Sequence, residues 1–258
     1  MIPRDKDVVI FRYDKTKRYF LVSLHLENKP GALGNLANLL AIRDINILEG
    51  FFGGMSYEEN ATVSFFVEST NKRLDKGWIK DFLQSSVYVS DVEVKESIDG
   101  LITDSLNFPL TWNTGDRAIL MRVEGVRVML DSMKSASSDG DAAIYSQGFS
   151  YGKAAWDNLF ATYHPPSKEA MAEFLGIYSA TGWGRPELVE LDQAKRRAKL
   201  KLFDSFECAG QNTGGLASSF VRGHISGAFS AYFGGYVRAV EKKCTSKGDD
   251  CCEFDISP

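Results

Sequence analysis

Two spacings of hydrophobic residues run through the first third of the chain. Phe20, Val22, Leu24 and Leu26 alternate with Leu21, Ser23 and His25, the two-residue period of a half-buried strand. Asn28-Lys29-Pro30-Gly31 interrupts it; asparagine suits a helix cap, and proline a first helical turn, where its missing N–H would be unpaired anyway. Leu33, Leu36, Leu39 and Leu40 follow at three-and-four spacing, which predicts an amphipathic helix ending near Arg43-Asp44. Ile45 and Ile47 open a second strand, Gly53, Gly54 and Asn60 mark a loop, and Ala61, Val63, Phe65 and Val67 alternate as a third strand. Leu74, Trp78 and Phe82 predict a second helix, and Val87, Val89, Val92 and Val94 a last strand. The order βαββαβ over residues 18–98 is that of a ferredoxin-like split unit, two helices on one sheet face.

Residues 97–116 read as a junction punctuated by Pro109 and Gly115, and a second domain spans 100–258. Ile119, Met121 and Val123 alternate like a strand. Tyr145, Phe149, Gly152, Trp156 and Phe160 keep a helical period, as do Met171, Phe174, Leu175 and Tyr178 after His164-Pro165-Pro166. Leu188 to Leu191, then Leu200 and Leu202 between lysines, predict two strands. Gly223, Gly227, Ala231 and Gly234 recur at four-and-three spacing on one helix, a stripe of small residues fit for a packing seam or a pocket wall. Val237 and Val240, the turn Lys247-Gly248-Asp249-Asp250 and the alternating Cys252 to Ile256 predict a closing hairpin. The fold class is α/β (α+β), and 258 residues suit two domains better than one.

Charge and composition narrow the function. A net charge of −4 leaves no footprint for nucleic acid. The basic run Lys195 to Arg197 with Lys199 and Lys201 is balanced by Glu187, Glu190 and Asp192, and reads as a solvated face. With neither a leader-like segment nor a long uncharged apolar run, the chain is expected in the cytoplasm and off the membrane. There the four cysteines favour metal binding or burial over disulfides. His25, His164 and His224 lie in separate segments, and neither GxGxxG nor GxxxxGK[ST] occurs, so no catalytic group and no nucleotide cofactor are expected. Gly214-Gly215 is expected to open a helix.

Two families enter on specific residues. Leu26-Glu27-Asn28-Lys29-Pro30-Gly31-Ala32-Leu33, with Asp44-Ile45-Asn46-Ile47 after the helix, resembles an ACT domain. The resemblance implies an amino-acid effector between two modules, contacted by Asn28, Pro30, Gly31, Ala32, Leu33, Asn46 and Ile47. Free N–H groups at a helix start suit a carboxylate, although Asn28 is equally readable as a cap and Asn46 as a turn residue.

Gly223-x-x-Ser226-Gly227, Gly234, Glu241-x-x-Cys244 and Gly248-Asp249-x-x-Cys252-x-Phe254 resemble a V4R domain, and Gly182-Trp183-Gly184 and Asp204-Ser205-Phe206-Glu207 extend the likeness. That family implies a non-catalytic, dimeric sensor, found alone chiefly in archaea and also in transcriptional regulators, with a cavity for a small hydrophobic molecule. The pocket would involve Trp156, Leu202, Arg222 and Ala239. Arg222 and Ala239 stand where aromatic-sensing relatives carry rings, so the ligand is expected to differ from theirs. Zinc-bearing relatives imply a tetrahedral site at Glu241, Cys244 and Cys252. The fourth family position falls on Ser218, a poor ligand; Cys208, at the end of an expected strand, is the replacement chosen, with Cys251 and His224 as others. A structural zinc, reduced thiols and a disulfide all remain open. So do three functions: sensing through a homodimer, sensing for a separate DNA-binding partner, and a tetrapyrrole-related activity.

Overall fold

A computed structural model describes residues 7–8, 10–53, 58–68, 71, 73–112, 115–161, 165–212 and 214–258. Gly54 and His164 lie outside the described residues. The chain separates into two compact units, Met1–Ala118 and Ile119–Pro258.

In the first unit the order is β1 (Phe11–Tyr13), β2 (Tyr19–Glu27), α1 (Ala32–Ala41), β3 (Asn46–Gly53), β4 (Asn60–Glu68), α2 (Lys76–Gln84), β5 (Val89–Glu96) and β6 (Leu101–Thr103). The four long strands form an antiparallel sheet ordered β3-β4-β2-β5, the ferredoxin-like arrangement. Phe20, Val22, Leu24 and Leu26 of β2 join Val63, Phe65 and Val67 of β4 in one core with Leu36, Leu40, Ile79 and Leu83 of the helices. Of the intervening residues Leu21 is buried too, Ser23 is half-buried and His25 is exposed. Tyr19, Leu21 and Phe66 pack on Ile102, because the ribbon of β1 and β6 covers the second sheet face. Strict alternation understated that burial, since a two-sided strand needs no polar face.

Two local expectations fail here. Pro30 lies before α1, not in its first turn: Gly31 is the N-cap, at φ 90°, and no side chain caps the helix. Leu74 precedes α2, whose cap is Asp75 accepting from the Trp78 N–H at 2.8 Å. Ile79 and Leu83 are the buried residues of α2, while Trp78 and Phe82 stack on each other at its margin.

The second unit runs α3 (Val123–Ala136), α4 (Gly140–Leu159), α5 (Lys168–Ala180), β7 (Arg185–Asp192), β8 (Arg197–Phe203), α6 (Ser219–Tyr232), β9 (Arg238–Lys243) and β10 (Cys252–Ser257). Its antiparallel sheet is ordered β7-β8-β10-β9. Lys199 and Lys201 stand opposite Glu190 and Glu187, and opposite Asp255 and Glu253 on the other side, so the basic run forms a charge ladder on an outer face. Ile119 and Met121 form no strand; Val123 begins α3, whose Leu130 reaches the core with Val126 and Met133 beside it. Three alternating residues are too few to separate a strand from the approach to a helix.

The glycine stripe on α6 is a seam. A Cβ at Gly223 or Gly227 would run into the carbonyls of Tyr145 or Phe149, and one at Gly148 or Gly152 into those of Phe220 or His224. Helices α4 and α6 thus cross with their backbones in contact, each supplying two glycines four residues apart. Gly234 is not on the helix: it sits two residues past its end at φ 64°, donating to the Ala231 carbonyl at 3.1 Å. Gly214-Gly215 opens no helix either, since α6 starts at Ser219.

Candidate functional site

Glu241 and Cys244 lie three residues apart, a spacing that regular strand geometry would send to opposite faces. The register resolves this. Glu253 pairs with Lys243 but Phe254 with Glu241, so Lys242 is an extra, bulged residue. Lys242 and Lys243 are both exposed, and Glu241 and Cys244 both turn inward. A single 3-10 turn, Thr245–Lys247, then reverses the chain, with Gly248 at φ 101°. Asp249 accepts from the Cys244 N–H at 2.9 Å, which brings Cys252 back beside Cys244 with Sγ atoms 3.9 Å apart.

The fourth donor comes from a turn. Cys208 does not end a strand; it lies beyond β8, its N–H donating to the Ser205 carbonyl at 3.1 Å. Its Sγ is 3.5 Å from that of Cys244. Cys208, Glu241, Cys244 and Cys252 are all buried, with ligand atoms within 4.8 Å of one another. A tetrahedral zinc at about 2.3 Å from each sulfur would separate the sulfurs by about 3.8 Å, and the two sulfur spacings bracket that edge. All four cysteines are free, so the disulfide alternative is not formed. Cys251 is buried outside this group, and His224 lies elsewhere.

Ser218 donates to Glu241 Oε1 at 2.7 Å and lies 3.0 Å from Cys208 Sγ, so it orients the carboxylate from behind. Burial pushes Glu241 up to about 8, against the Ser218 bond. Hydrogen bonding to Cys244 pushes the Cys208 thiol up, and accepting from Cys208 and Cys252 pushes Cys244 down. A cation among these donors would favour the ionised form of each. Thiolates with one carboxylate suit zinc; calcium and magnesium prefer oxygen.

Two further features went unread in the sequence. Glu207 accepts from the Phe220 and Val221 N–H groups at 3.0 and 2.8 Å, capping α6 from the preceding turn. Burial nonetheless raises it to about 7. His224, 4% exposed, sits among rings: Trp183 at 5.0 Å, Tyr151 at 5.2 Å, Tyr178 at 5.4 Å and Phe174 at 6.2 Å between centroids. Its Nδ1 is 2.7 Å from the Tyr178 hydroxyl, and burial pushes it down to about 3, so the imidazole is neutral near pH 7. One wall is accessible, since Tyr151 is 49% exposed. The sequence showed only scattered aromatics, because three helices and the turn before β7 supply this cage.

Residues 199–258 match the V4R domain. No curated protein matches the chain in sequence. Among solved structures, the phenol-responsive sensory domain of the transcription activator PoxR with phenol is 18% identical, over 57% of this chain and 79% of that one, with a TM-score of 0.48. A vinyl-4-reductase family protein from Methanocaldococcus jannaschii is 21% identical over 56% and 84%, with a TM-score of 0.38. Trafficking protein particle complex subunit 3 from Naegleria fowleri, covalently bound to palmitic acid, is 13% identical over 52% and 93%, at 0.39. The V4R match contains Glu241, Cys244 and Cys252, together with Arg222, Ala239 and Leu202. Of the residues expected at a V4R pocket, Trp156, Leu202 and Ala239 are packed fully into the core and Arg222 is half-buried.

The residues expected at an ACT site behave differently. Asn28 bonds to the segment before β4, donating from Nδ2 to the Glu58 carbonyl at 3.1 Å and from N–H to the Glu59 carbonyl at 2.8 Å. Asn46 is level with Tyr19 in the sheet, and Asn28 follows Glu27 at the other end of β2. Eight residues of strand separate the two levels, about 26 Å. One chain does not bring the two asparagines together. Ala32 is buried, whereas Pro30, Gly31, Leu33 and Ile47 are exposed. Among the described residues, no helix is long and apolar enough to cross a membrane.

Proposed function

We propose that this chain is a non-catalytic regulatory protein whose V4R domain senses a small, mostly apolar molecule. The observation that carries the reading is the His224 cage: a neutral, buried imidazole and a phenol hydroxyl amid aromatic walls, one of them open to solvent. A few fixed polar groups on an apolar lining are the usual composition of a small-molecule site. The absence of a charged acid–base pair in the cage fits binding better than turnover. Cys208, Glu241, Cys244 and Cys252 hold a structural zinc that ties the turn after β8 to the closing hairpin. In the ferredoxin-like unit, the uncapped start of α1 receives an amino-acid carboxylate, and Asn28 and Asn46 share that ligand only across a homodimer.

The test is differential scanning fluorimetry of the full chain against phenol, cresols and indole. At least one should raise the melting temperature by about 3 °C or more. The double variant His224→Phe/Tyr178→Phe should lose the effect, because it keeps the aromatic walls and removes the polar pair. A panel without effect, or stabilisation that survives the double variant, refutes the reading.

A further inference from the structure

Helix α3 carries two cations on the side it turns toward its domain. Arg127 and Lys134 are half-buried and about two turns apart, and they flank Val126, Leu130 and Met133, which pack on the core. Arg127 Nη1 donates to the Ala209 carbonyl. Lys134 Nζ donates to the Ala217 carbonyl at 3.4 Å, with Asp141 Oδ1 3.8 Å away.

Those two carbonyls bracket the chain between Cys208 and Ser218. Ala209 directly follows Cys208, and Ala217 directly precedes Ser218, whose hydroxyl orients Glu241. The link at Lys134 is closer still. A peptide group is one plane, so the Ala217 carbonyl and the Ser218 N–H move as a unit. That carbonyl accepts from Lys134, while the N–H donates to Glu241. One peptide back, the Ala217 N–H donates to Cys244. Between the brackets, the Gly214 N–H donates to the Ser246 carbonyl at 3.2 Å, and Ser246 Oγ to the Gly215 carbonyl at 2.7 Å. The same Oγ lies 2.9 Å from Cys244 Sγ. The segment therefore touches α3 at both ends and the hairpin of Cys244 and Cys252 in between.

Charge gives this arrangement a reason. Three thiolates and a carboxylate outweigh a divalent ion, and the negative charge left over is costly to bury without donors and cations nearby. Lys134 polarises the shared peptide and strengthens the N–H aimed at Glu241. Without the ion, ionised donors repel one another, and the segment loses what holds it in the shape that offers both carbonyls to α3. Given the zinc proposed for Cys208, Glu241, Cys244 and Cys252, we infer that Arg127 and Lys134 are positioning residues of that centre, and that α3 is latched to its domain only while the metal is bound. Since α3 is the first element of the second unit, metal occupancy is passed to the point where the chain enters it.

Hydrogen exchange read by mass spectrometry tests this on the full chain, stripped with a chelator and then reloaded with zinc alone. Stripping should speed exchange in α3 by at least about tenfold and zinc should reverse it, while α5 changes less. Coupling is reciprocal, so Arg127→Met/Lys134→Met should bind zinc about fivefold or more weakly, and its α3 should exchange fast with or without metal. Cobalt(II) loading supplies a signature that a purely structural role would not move. In Lys134→Met the thiolate-to-metal absorption should persist while the ligand-field bands shift, because the Glu241 carboxylate is held differently. Arg127→Lys/Lys134→Arg should recover most of the zinc affinity, and Asp141→Asn should not weaken it. If a melting curve shows that the double methionine variant does not fold, Lys134→Met alone decides, with weaker zinc binding supporting the latch. Zinc affinity unchanged in the folded variants overturns it, as does one zinc bound with α3 exchanging equally in both states; either result leaves the metal centre standing. A chain that takes up no zinc at all refutes the centre and the latch together.

Discussion

The two units hide very different things in their interiors. Among the described residues of the first unit, Ser64 is the only buried polar or charged one, and it is satisfied by donating to the Val22 carbonyl and accepting from Asn107. Its shifted ionisable groups, Asp14, Lys17 and Glu68, are surface groups perturbed first by their own hydrogen bonds. The second unit buries Glu207, His224, Glu241 and three clustered thiols in or beside its core. Apolar packing alone can hold a ferredoxin-like sheet together. A core that also contains ionisable groups must keep each one neutral, hydrogen-bonded or coordinated. Such groups are where ligand chemistry can reside.

Removing metal should break the contrast most visibly. Treatment of the full chain with a strong chelator should lower the melting transition of the second unit by about 10 °C or more, since metal binding to a folded site is folding free energy. The transition of the first unit should stay where it was. Elemental analysis before and after should account for one zinc per chain. A chain purified without any metal, yet equally stable, would remove zinc from this account.

Next comes the helix seam. Gly227→Val would force a branched side chain against the backbone of Phe149 and Lys153, and should destabilise the second unit by about 4 kcal/mol or unfold it. In the first unit Gly34, which faces open space on α1, should accept alanine with no loss and a gain of up to about 1 kcal/mol. Chemical denaturation of both variants makes the comparison. Equal effects would mean that the two glycines are structurally equivalent.

The smallest effect is a slope against pH. His224 titrates near 3 in the folded chain against an ordinary 6.5, so between those values the unfolded chain binds more protons. Stability from this group is therefore complete above about pH 6.5 and is lost as the pH falls toward 3, by about 5 kcal/mol in total. The replacement His224→Phe/Tyr178→Phe should flatten that part of the acid limb, as read from denaturation midpoints at several pH values. An unchanged slope would show that His224 is accessible to protons in the native state.

Local signals settled much of the architecture. The alternation in β2 and β4, the leucine spacing of α1 and the turn at Gly248 act over a few residues, and hydrophobic burial rewards the same pattern wherever it occurs. The spacing Glu241-x-x-Cys244 with Cys252 likewise pointed to a hairpin carrying polar donors. Longer-range facts were beyond it. That Cys208 rather than Cys251 or His224 stands by Cys244 depends on where the chain turns after β8, and that Glu241 and Cys244 share a face depends on a bulge at Lys242. The separation of Asn28 from Asn46 follows from strand register, and the cage around His224 from the approach of α4 and α6 that four glycines permit. Residue type and spacing determine what each segment can do locally. Which distant groups meet is decided by packing, because the energy of a buried polar contact exists only after the core has closed around it.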